Sequence, residues 1–325
     1  MPEGNCTALT EFILLGFTDR PEVEIPLFGL FLLIYGTTLV GNVCLVVLVR
    51  LNAHLHTPMY YFLSNLSFLD LSCSSAIAPK MLVNLLSQHK AISSLGCGMQ
   101  MFLLAASIDA ECLVLAAMAY DRYVAVCHPL LYPVAMSHGT CTSLVAGAFL
   151  SGALTSLVHT SLTFSLRFCG SGRIDHFFCD IPALLELPRS DTRLNRALLV
   201  TLCGLIQTST FLSIALSYTC ILSTLSRIQV TDSRHKAFHT CSSHLTAVGL
   251  FYGSLLFTYL KPSSNHSPLG TDKAVSALYT LVFPMLNPLI YSLRNKEVKD
   301  ALRRTLERRV FSQGFLRVRF QGETQ

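Results

Sequence analysis

Seven long, mainly apolar stretches recur along the chain, and they restrict its fold more than any other feature. A helix of about 20 residues crosses the roughly 30 Å of hydrocarbon in a bilayer. Because lipid offers no hydrogen-bond partners, backbone at that depth must be helical or form a closed barrel. The composition, with 51% hydrophobic and only 13% charged residues, also lies outside the range of most soluble domains. We therefore predict an all-α membrane domain.

Four of the seven stretches contain no charged side chain, and they cover 25–49, 140–162, 197–226 and 274–293. The other three contain isolated polar residues: Asp70 in 58–80, Asp109 and Glu111 in 98–121, and His239 and His244 in 237–260. A membrane tolerates such residues where they face the interior of a helix bundle. We predict a seven-transmembrane helix bundle over 25–293, preceded by an extracellular N-terminal segment over 1–24.

Basic residues beside the predicted spans indicate the orientation, because cytoplasmic flanks carry an excess of Lys and Arg. The segment after the last span is rich in them, with Arg294, Lys296, Lys299, Arg303, Arg304, Arg308 and Arg309. We therefore expect a cytoplasmic C-terminus and an extracellular N-terminus. The 163–196 loop departs from the rule with five arginines on the outer side, but longer loops obey it weakly. The net charge of +5 thus reflects topology, and we expect no nucleic-acid partner.

Apolar residues also repeat every three to four positions after the last span, at Val298, Ala301, Leu302, Leu306 and Val310. This spacing, with arginines between, is typical of an amphipathic helix on a membrane surface. We predict a short amphipathic cytoplasmic helix within 294–325 that contacts lipid of the inner leaflet. A disordered basic tail is the alternative, and it becomes the better interpretation beyond Val310.

The outer segments contain sites for covalent modification. Asn5 and Asn265 each begin an Asn-x-Ser/Thr glycosylation sequon. The first residues lack the basic and apolar regions of a removable signal peptide, so we expect the first span to direct insertion.

Of the twelve cysteines, Cys6, Cys97, Cys169 and Cys179 lie outside the spans. Four cysteines allow three pairings. We favour Cys97 with Cys179, because Cys97 opens the third span and a bond to Cys179 would hold the 163–196 loop over the mouth of the bundle.

Five motifs occur in order along the chain: PMYYFLSNLSFLDLS (58–72), MAYDRYVAVCHPLLY (118–132), SYTCIL (217–222), KAFHTCSSHLTAV (236–248) and PMLNPLIYSLRNK (284–296). A seven-span chain with Asp-Arg-Tyr at the inner end of span three resembles a rhodopsin-like G-protein-coupled receptor. Together the five motifs resemble those of the odorant (olfactory) receptors, and the HPLLY ending is closer to their large tetrapod-type subfamily.

The resemblance implies a receptor in the plasma membrane that binds a small, mostly apolar odorant and activates a stimulatory G protein to raise cyclic AMP. It implies no enzyme activity, and the sequence offers neither an HExxH nor a GxSxG motif. A transporter is the other alternative, but the seven dissimilar spans lack the internal symmetry typical of transporters.

The Asp121-Arg122-Tyr123 stretch is the first part of the predicted activation switch. A lone arginine at this depth could simply extend to the interface. The adjacent acid favours a switch, in which Asp121 restrains Arg122 in one state and releases it in another. By resemblance, the other switch residues are Tyr218, Tyr252, Asn287, Pro288 and Tyr291. Next to them, His239 and His244 are expected to face a cytoplasmic crevice.

Polar residues deep in several spans must find partners inside the bundle. Asn42, Asp70 and Asn287 are expected to form an interhelical hydrogen-bond cluster, and the resemblance places Glu111 near Asp70. Two carboxylates in one dry site share a proton or bind a cation. The resemblance points to a sodium ion at Asp70 and Glu111, and no other cofactor is expected.

Span three also presents a candidate ligand-binding face, because Leu104, Ala105, Ile108, Asp109 and Cys112 recur at helical spacing. Glu111 lies about 200° from Asp109 around the helix and so serves a different site. Ordinary helix packing explains such a face equally well without the resemblance. With it, the other cavity residues are predicted to be Ile206, Leu255, Leu256, Tyr259, Ala277 and Thr280.

Two positions depart from the pattern of similar receptors. Arg189 stands where they usually carry a cysteine, so Cys169 is expected to be free or paired elsewhere, for example with Cys6. Asp109 stands where they more often carry a small or apolar residue. Asp109 either pairs with His159 inside the bundle or stays available for a ligand that carries an amine or another hydrogen-bond donor.

Overall fold

In the computed structural model, residues 9–18, 20–168, 170–187, 190–227, 231–259, 271–294 and 297–305 are described. Six long helices come first: α1 (Pro21–Leu51), α2 (Pro58–Leu86), α3 (Ser94–Cys127), α4 (His138–Phe164), α5 (Arg193–Arg227) and α6 (Thr231–Tyr259). The seventh, α7, consists of Thr271–Ala277, a π-helical turn over Leu278–Val282, and Phe283–Arg294. A last helix, α8, covers 297–305. Single helical turns lie at Ala53–Leu55, Tyr132–Ala135 and Ile181–Leu184.

Six of the described helices are long and apolar enough to cross a membrane, and they are α1 to α5 and α7. The remaining helix, α6, has 29 residues and is therefore about 43 Å long, which is also sufficient. Its first turns carry the polar sequence TDSRHK, which lowers its average hydropathy. The predicted bundle of seven membrane helices is thus confirmed.

The helices extend beyond the apolar stretches that predicted them. The first helix begins at Pro21, inside the predicted N-terminal segment, and α2 continues to Leu86. At the other side of the bundle, α3 continues to Cys127. Hydropathy marks only the part of a helix that lies in hydrocarbon, whereas backbone hydrogen bonds continue into the interface.

The third helix is the centre of the bundle, where it packs against α2, α4 and α5. Leu115, Met118 and Ala119 on α3 are at most 1% exposed. Side chains on the outside of the bundle are apolar as well, for example Val40 at 72% exposed and Leu216 at 67%. An apolar core inside an apolar surface is the pattern expected of a protein dissolved in lipid.

A small three-stranded sheet covers one end of the bundle, and no pattern in the sequence indicated it. The strands are β1 (Glu11–Leu14), β2 (Ala91–Ser93) and β3 (Arg173–Ile174), in the order β2-β1-β3. The central strand is antiparallel to β2 and parallel to β3, so it joins the N-terminal segment to two inter-helix connections. Phe12 and Leu14 on β1 are fully buried. We call this end of the bundle the capped end and the opposite one the Arg122 end.

A disulfide also fixes the capped end. Cys97 at the start of α3 is bonded to Cys179, with a Cα–Cα distance of 5.5 Å, so the predicted pairing is confirmed. The Cys179 N–H donates to Oε1 of Gln100 at 2.9 Å, which holds the loop to α3 a second time. Cys6, Cys169 and Arg189 lie outside the described residues, as do the sequons at Asn5 and Asn265.

The last helix packs partly on the bundle. Val298 and Ala301 are 2% and 0% exposed within the core, whereas Leu302 is 38% exposed. The Tyr60 hydroxyl of α2 donates to Glu297 at 2.7 Å and ties the start of α8 to the bundle. The predicted apolar face therefore packs in part on the bundle and is in part exposed, while Leu306 and Val310 lie outside the described residues.

One glycine sets how closely α3 and α4 approach. A Cβ atom added at Gly152 would lie 2.5 Å from the Ala106 carbonyl oxygen, which is backbone and cannot move aside cheaply. One turn further along α4, Ser156 Oγ donates to the Phe102 carbonyl at 2.7 Å. The two helices can form such a bond only because position 152 has no side chain.

Replacing Gly152 with Ala should therefore destabilise the bundle by about 1–3 kcal/mol, the usual cost of overpacking. The measurement is the melting temperature of the purified receptor in detergent. Gly147→Ala on the same helix is the matched control, because a Cβ there meets nothing within 4 Å. Equal melting temperatures for the two variants would contradict the role of Gly152.

Candidate functional site

A cavity of about 70 Å³ lies toward the capped end, between α3, α5, α6, α7 and the loop that follows the disulfide. From α3 and the loop it is lined by Met101, Leu104, Ala105, Ile108, Asp109, Cys179, Asp180, Ile181 and Pro182. From the other helices it is lined by Leu199, Cys203, Gln207, Leu255 and Tyr279. The lining is mostly apolar with a few polar groups, which is the usual character of a small-molecule site.

The structure places five of the predicted ligand-binding residues in this wall, namely Leu104, Ala105, Ile108, Asp109 and Leu255. Four others lie outside the lining: Cys112, Ala277 and Thr280 are buried in helix contacts, and Ile206 packs half-buried against the core. Leu256 is a correction, because its side chain is 50% exposed on the outside of the bundle. The Tyr259 side chain is not among those described.

The part of the wall that comes from the loop was not predicted from the sequence. Residues 179–182 begin with the disulfide-bonded cysteine and cover the cavity. Helical periodicity carries no information about a loop, although the favoured Cys97–Cys179 bond could have indicated that residues next to Cys179 lie over the bundle. Leu199, Cys203 and Gln207 were also missed, and they share one face of α5 by their spacing.

Asp109 does not pair with His159, so that predicted alternative is wrong. The Asp109 side chain is 3% exposed, and its Oδ2 accepts a hydrogen bond from Thr155 Oγ1 at 2.6 Å. His159 Nε2 instead lies 3.6 Å from the Cys203 Sγ. Thr155 is one turn nearer than His159 to Gly152, where α3 and α4 are in close contact. Its hydroxyl therefore lies within hydrogen-bonding distance of the Asp109 carboxylate.

A second carboxylate lines the same cavity from the loop side. Asp180 follows Cys179 and precedes the helical turn Ile181–Leu184, and its side chain does not cap that turn. Burial raises the pKa of Asp180 from 3.8 to about 6, against a smaller opposing effect of a hydrogen bond from the Ile181 backbone. The cavity therefore contains two acids, one from α3 and one from the loop.

A polar cluster lies deeper in the bundle, where Asn287 Nδ2 donates to the two carboxylate oxygens of Asp70 at 3.1 and 3.2 Å. Asn42 Nδ2 donates to the Pro284 carbonyl at 2.9 Å. That carbonyl lacks its usual helical partner, because Pro288 has no N–H. Glu111 is 6% exposed, and its carboxylate interacts with the Asp70 carboxylate and the Asn287 amide.

At the Arg122 end, no hydrogen bond or close ion pair joins Asp121 to Arg122. Oδ1 of Asp121 accepts a hydrogen bond from the Tyr132 hydroxyl at 2.8 Å, while its Oδ2 and the Arg122 Nε are buried without a hydrogen-bond partner among the described residues. Burial, followed by the negative charge of Asp121, raises the pKa of Tyr132. Asp121 and Arg122 still attract each other electrostatically, so the predicted restraint has no direct bond in this conformation.

Two other predicted switch residues form contacts between helices, Tyr218 close to Arg122 and Tyr252 at the level of Cys112. The Tyr218 hydroxyl and His244 Nδ1 are 2.7 Å apart, as are the hydroxyls of Tyr252 and Thr210. His244 is fully buried, so its predicted exposure to a crevice is wrong, and the side chain of His239 lies outside the description. Tyr123 contacts His128 at 3.0 Å, and the buried Tyr291 hydroxyl has no partner among the described residues.

The raised pKa of Asp180 predicts a pH-dependent stability. Because the folded protein binds this proton more tightly than the unfolded chain, the stabilisation is complete below pH 3.8 and is lost as the pH rises through about 6. Asp180→Asn removes this dependence. Above pH 7 the free energy of unfolding of Asp180→Asn should exceed that of the wild type by about 1–3 kcal/mol.

The measurement is the melting temperature of both proteins in detergent between pH 5 and pH 7.5. The exposed Asp191, which accepts hydrogen bonds from Arg193, supplies the control Asp191→Asn. A difference between wild type and Asp180→Asn that does not change with pH would contradict the assignment.

Comparisons with known proteins agree over nearly the whole chain. The olfactory receptor family model matches residues 31–309. Olfactory receptor-like protein OLF1 of Canis lupus familiaris is 52% identical over 310 residues, which are 95% of this chain and 99% of that protein. Olfactory receptor 5I1 of Homo sapiens is 51% identical over 308 residues, which are 95% and 98% of the two chains. The matched region contains both the cavity and the Arg122 end.

Proposed function

Since this chain belongs to the olfactory receptor family, we propose that it binds a small odorant in the cavity at the capped end and activates a stimulatory G protein, which raises cyclic AMP. Receptors of this family bind odorants, act through a G protein and are not enzymes. Three points go beyond these family properties and are proposals: the ligand binds in this cavity, the ligand is mostly apolar, and the G protein is of the stimulatory class.

The continuity of α3 between two sites is the main support for this function. Asp109 lines the cavity, and Arg122 lies 13 residues further along the same helix, which corresponds to about 20 Å. The helix α3 is rigid and buried, and it lines the cavity near one end and presents Arg122 near the other. A shift of α3 caused by a ligand in the cavity would therefore also move Arg122.

The size of the cavity supports a conformational response to ligand. At about 70 Å³ it is smaller than the roughly 300–1,000 Å³ of typical ligand pockets. Most odorants can therefore enter only when part of the wall moves. The loop over 180–182 is covalently held through Cys179, and α5 packs along α3, whereas α6 contacts α3 only sparsely. We therefore propose that α6 and α7 are the parts of the wall that move.

We further propose an orientation for this multi-pass membrane protein. The basic residues Arg50, Arg227, Lys299, Arg303 and Arg304 all lie at the Arg122 end. The positive-inside rule then makes that end cytoplasmic and the capped end extracellular, with the protein in the plasma membrane. This places Arg122 where a G protein can bind, and it makes Asn5 and Asn265 available for glycosylation.

In this orientation Arg122 is the residue that meets the G protein. Its Nε has no partner among the described residues, so no internal bond to that nitrogen has to be broken before it binds another protein. Asp121 is held by Tyr132. The remaining switch residues belong to contacts that can rearrange when α6 and α7 move, and they are Tyr218, Tyr252, Asn287, Pro288 and Tyr291.

A sodium ion at Asp70 and Glu111 fits this bundle and is part of the proposal. Both carboxylates are buried, and the hydrogen bonds to Asp70 come from a neutral amide of Asn287. The Asn42 Oδ1 is an additional buried oxygen without a partner among the described residues. Oxygen atoms with excess negative charge are what a small hard cation requires. Bound sodium would neutralise part of the charge of this cluster. The side chains of Asn42, Asp70 and Glu111 would then hold α1, α2 and α3 against α7.

Substitution of Arg122 by Ala should abolish the odorant-stimulated rise in cyclic AMP while leaving delivery to the cell surface measurable. The reason is that the guanidinium is the proposed contact to the G protein. Arg122→Lys keeps the charge but not the planar set of donors, so it should restore the response only in part. The assay is a cyclic-AMP reporter with surface staining of the same cells.

Arg50→Ala is the matched control, because Arg50 is an exposed arginine at the same end of the bundle. It should signal as the wild type does. Full signalling by Arg122→Ala would overturn the role of Arg122.

A further inference from the structure

The two carboxylates in the cavity wall have no positive counterpart there. Asp109 and Asp180 both line the cavity, and its lining contains no Lys, Arg or His among the described residues. Three other acids at the capped end are paired: Asp175 with Lys273 at 2.7 Å, Asp191 with Arg193, and Glu24 with Lys90. The cavity is therefore a place where negative charge is concentrated, and the three cations of these pairs are engaged elsewhere.

Such an arrangement is costly for the empty protein. A buried carboxylate without a counter-ion loses its hydration and gains no compensating ion pair. A ligand that brings one positive charge reduces this penalty, so the wall favours a cation over a neutral molecule of the same shape.

Asp109 is held in a position suited to pairing with a cationic ligand. Thr155 binds Oδ2 at 2.6 Å and leaves Oδ1 to accept a bond from a ligand. The Asp109 side chain is only 3% exposed, so an ion pair with its carboxylate is poorly screened by water. Asp180 reaches the same cavity from a loop that the disulfide fixes.

The rest of the wall suits a short hydrocarbon chain. Leu104, Ile108, Ile181, Leu199 and Leu255 supply apolar surface around the two acids. Resting on the odorant-receptor function proposed above, we propose that this receptor is selective for short primary alkylamines, whose ammonium group lies between Asp109 and Asp180. An alkylammonium is positively charged at neutral pH, as the amine of lysine is.

The test uses n-pentylamine, 1-pentanol and n-hexane, which have the same number of non-hydrogen atoms and differ in one terminal group. The readout is the ligand-dependent rise in melting temperature of the purified receptor in detergent, from which an apparent Kd follows. This readout reports binding alone, so it stays informative whether or not the receptor couples to a stimulatory G protein.

For the wild type, the apparent Kd for n-pentylamine should be at least about tenfold lower than that for 1-pentanol, and n-hexane should bind no more tightly than 1-pentanol. Asp109→Asn and Asp180→Asn should each weaken n-pentylamine binding by about tenfold or more and change 1-pentanol binding by less than about threefold. Both substitutions keep the size of the side chain and remove only its charge, so they retain the shape of the cavity.

One further variant shows whether the effect belongs to the charges in the cavity wall. Asp191→Asn removes an exposed acid at the same end of the bundle, outside the lining, and should bind n-pentylamine as the wild type does. If n-pentylamine does not bind more tightly than 1-pentanol, or if the two cavity variants bind it as tightly as the wild type, the proposal is overturned.

Discussion

Polar groups inside this bundle must find partners within the protein, because hydrocarbon offers none, and this requirement determines how its helices are joined. Asn42 on α1 satisfies the Pro284 carbonyl that Pro288 leaves without a helical donor. Asn287 on α7 binds Asp70 on α2, and Thr155 on α4 binds Asp109 on α3. Each of these polar contacts is therefore a link between two helices, and the links limit how the helices can shift.

The two ends of the bundle differ in how their segments are held together. At the capped end, a disulfide, a three-stranded sheet and the Lys273–Asp175 pair fix the connections. At the Arg122 end, the described residues contain neither a disulfide nor a strand. In the function proposed above, this less constrained end is the one that rearranges when a ligand alters the packing near the cavity.

The sequence predicted those features that depend on local pattern. The seven spans follow from the length of the apolar runs, and the amphipathic character of α8 and most residues of the α3 wall follow from spacing along one helix. The Cys97–Cys179 bond was also predicted correctly, because Cys97 opens a span. Strands of two to four residues, such as β3, leave no detectable pattern of their own.

Contacts between helices were harder to predict, since they depend on how closely the helices approach. Asp109 binds Thr155 rather than His159 because Gly152 brings α4 close to α3 at that level. Leu255 and Leu256 are adjacent in sequence, so only one of them can face the cavity, and the rotation of α6 decides that it is Leu255. The loop acid Asp180 could be placed only once the fold of the loop was known.

If ligands act from the cavity at the capped end, blocking that cavity must abolish their effect. Ala105 lines it, so Ala105→Phe should fill much of the available space, whereas Leu256→Phe adds the same ring on the exposed face of α6. The measurement is nucleotide exchange on a purified stimulatory G protein, with hexylamine, hexanol and hexanal as ligands. We predict that ligand-promoted exchange persists in Leu256→Phe and is lost in Ala105→Phe, with both variants melting near the wild-type temperature. Equal ligand-promoted exchange by wild type and a folded Ala105→Phe would contradict a site in this cavity.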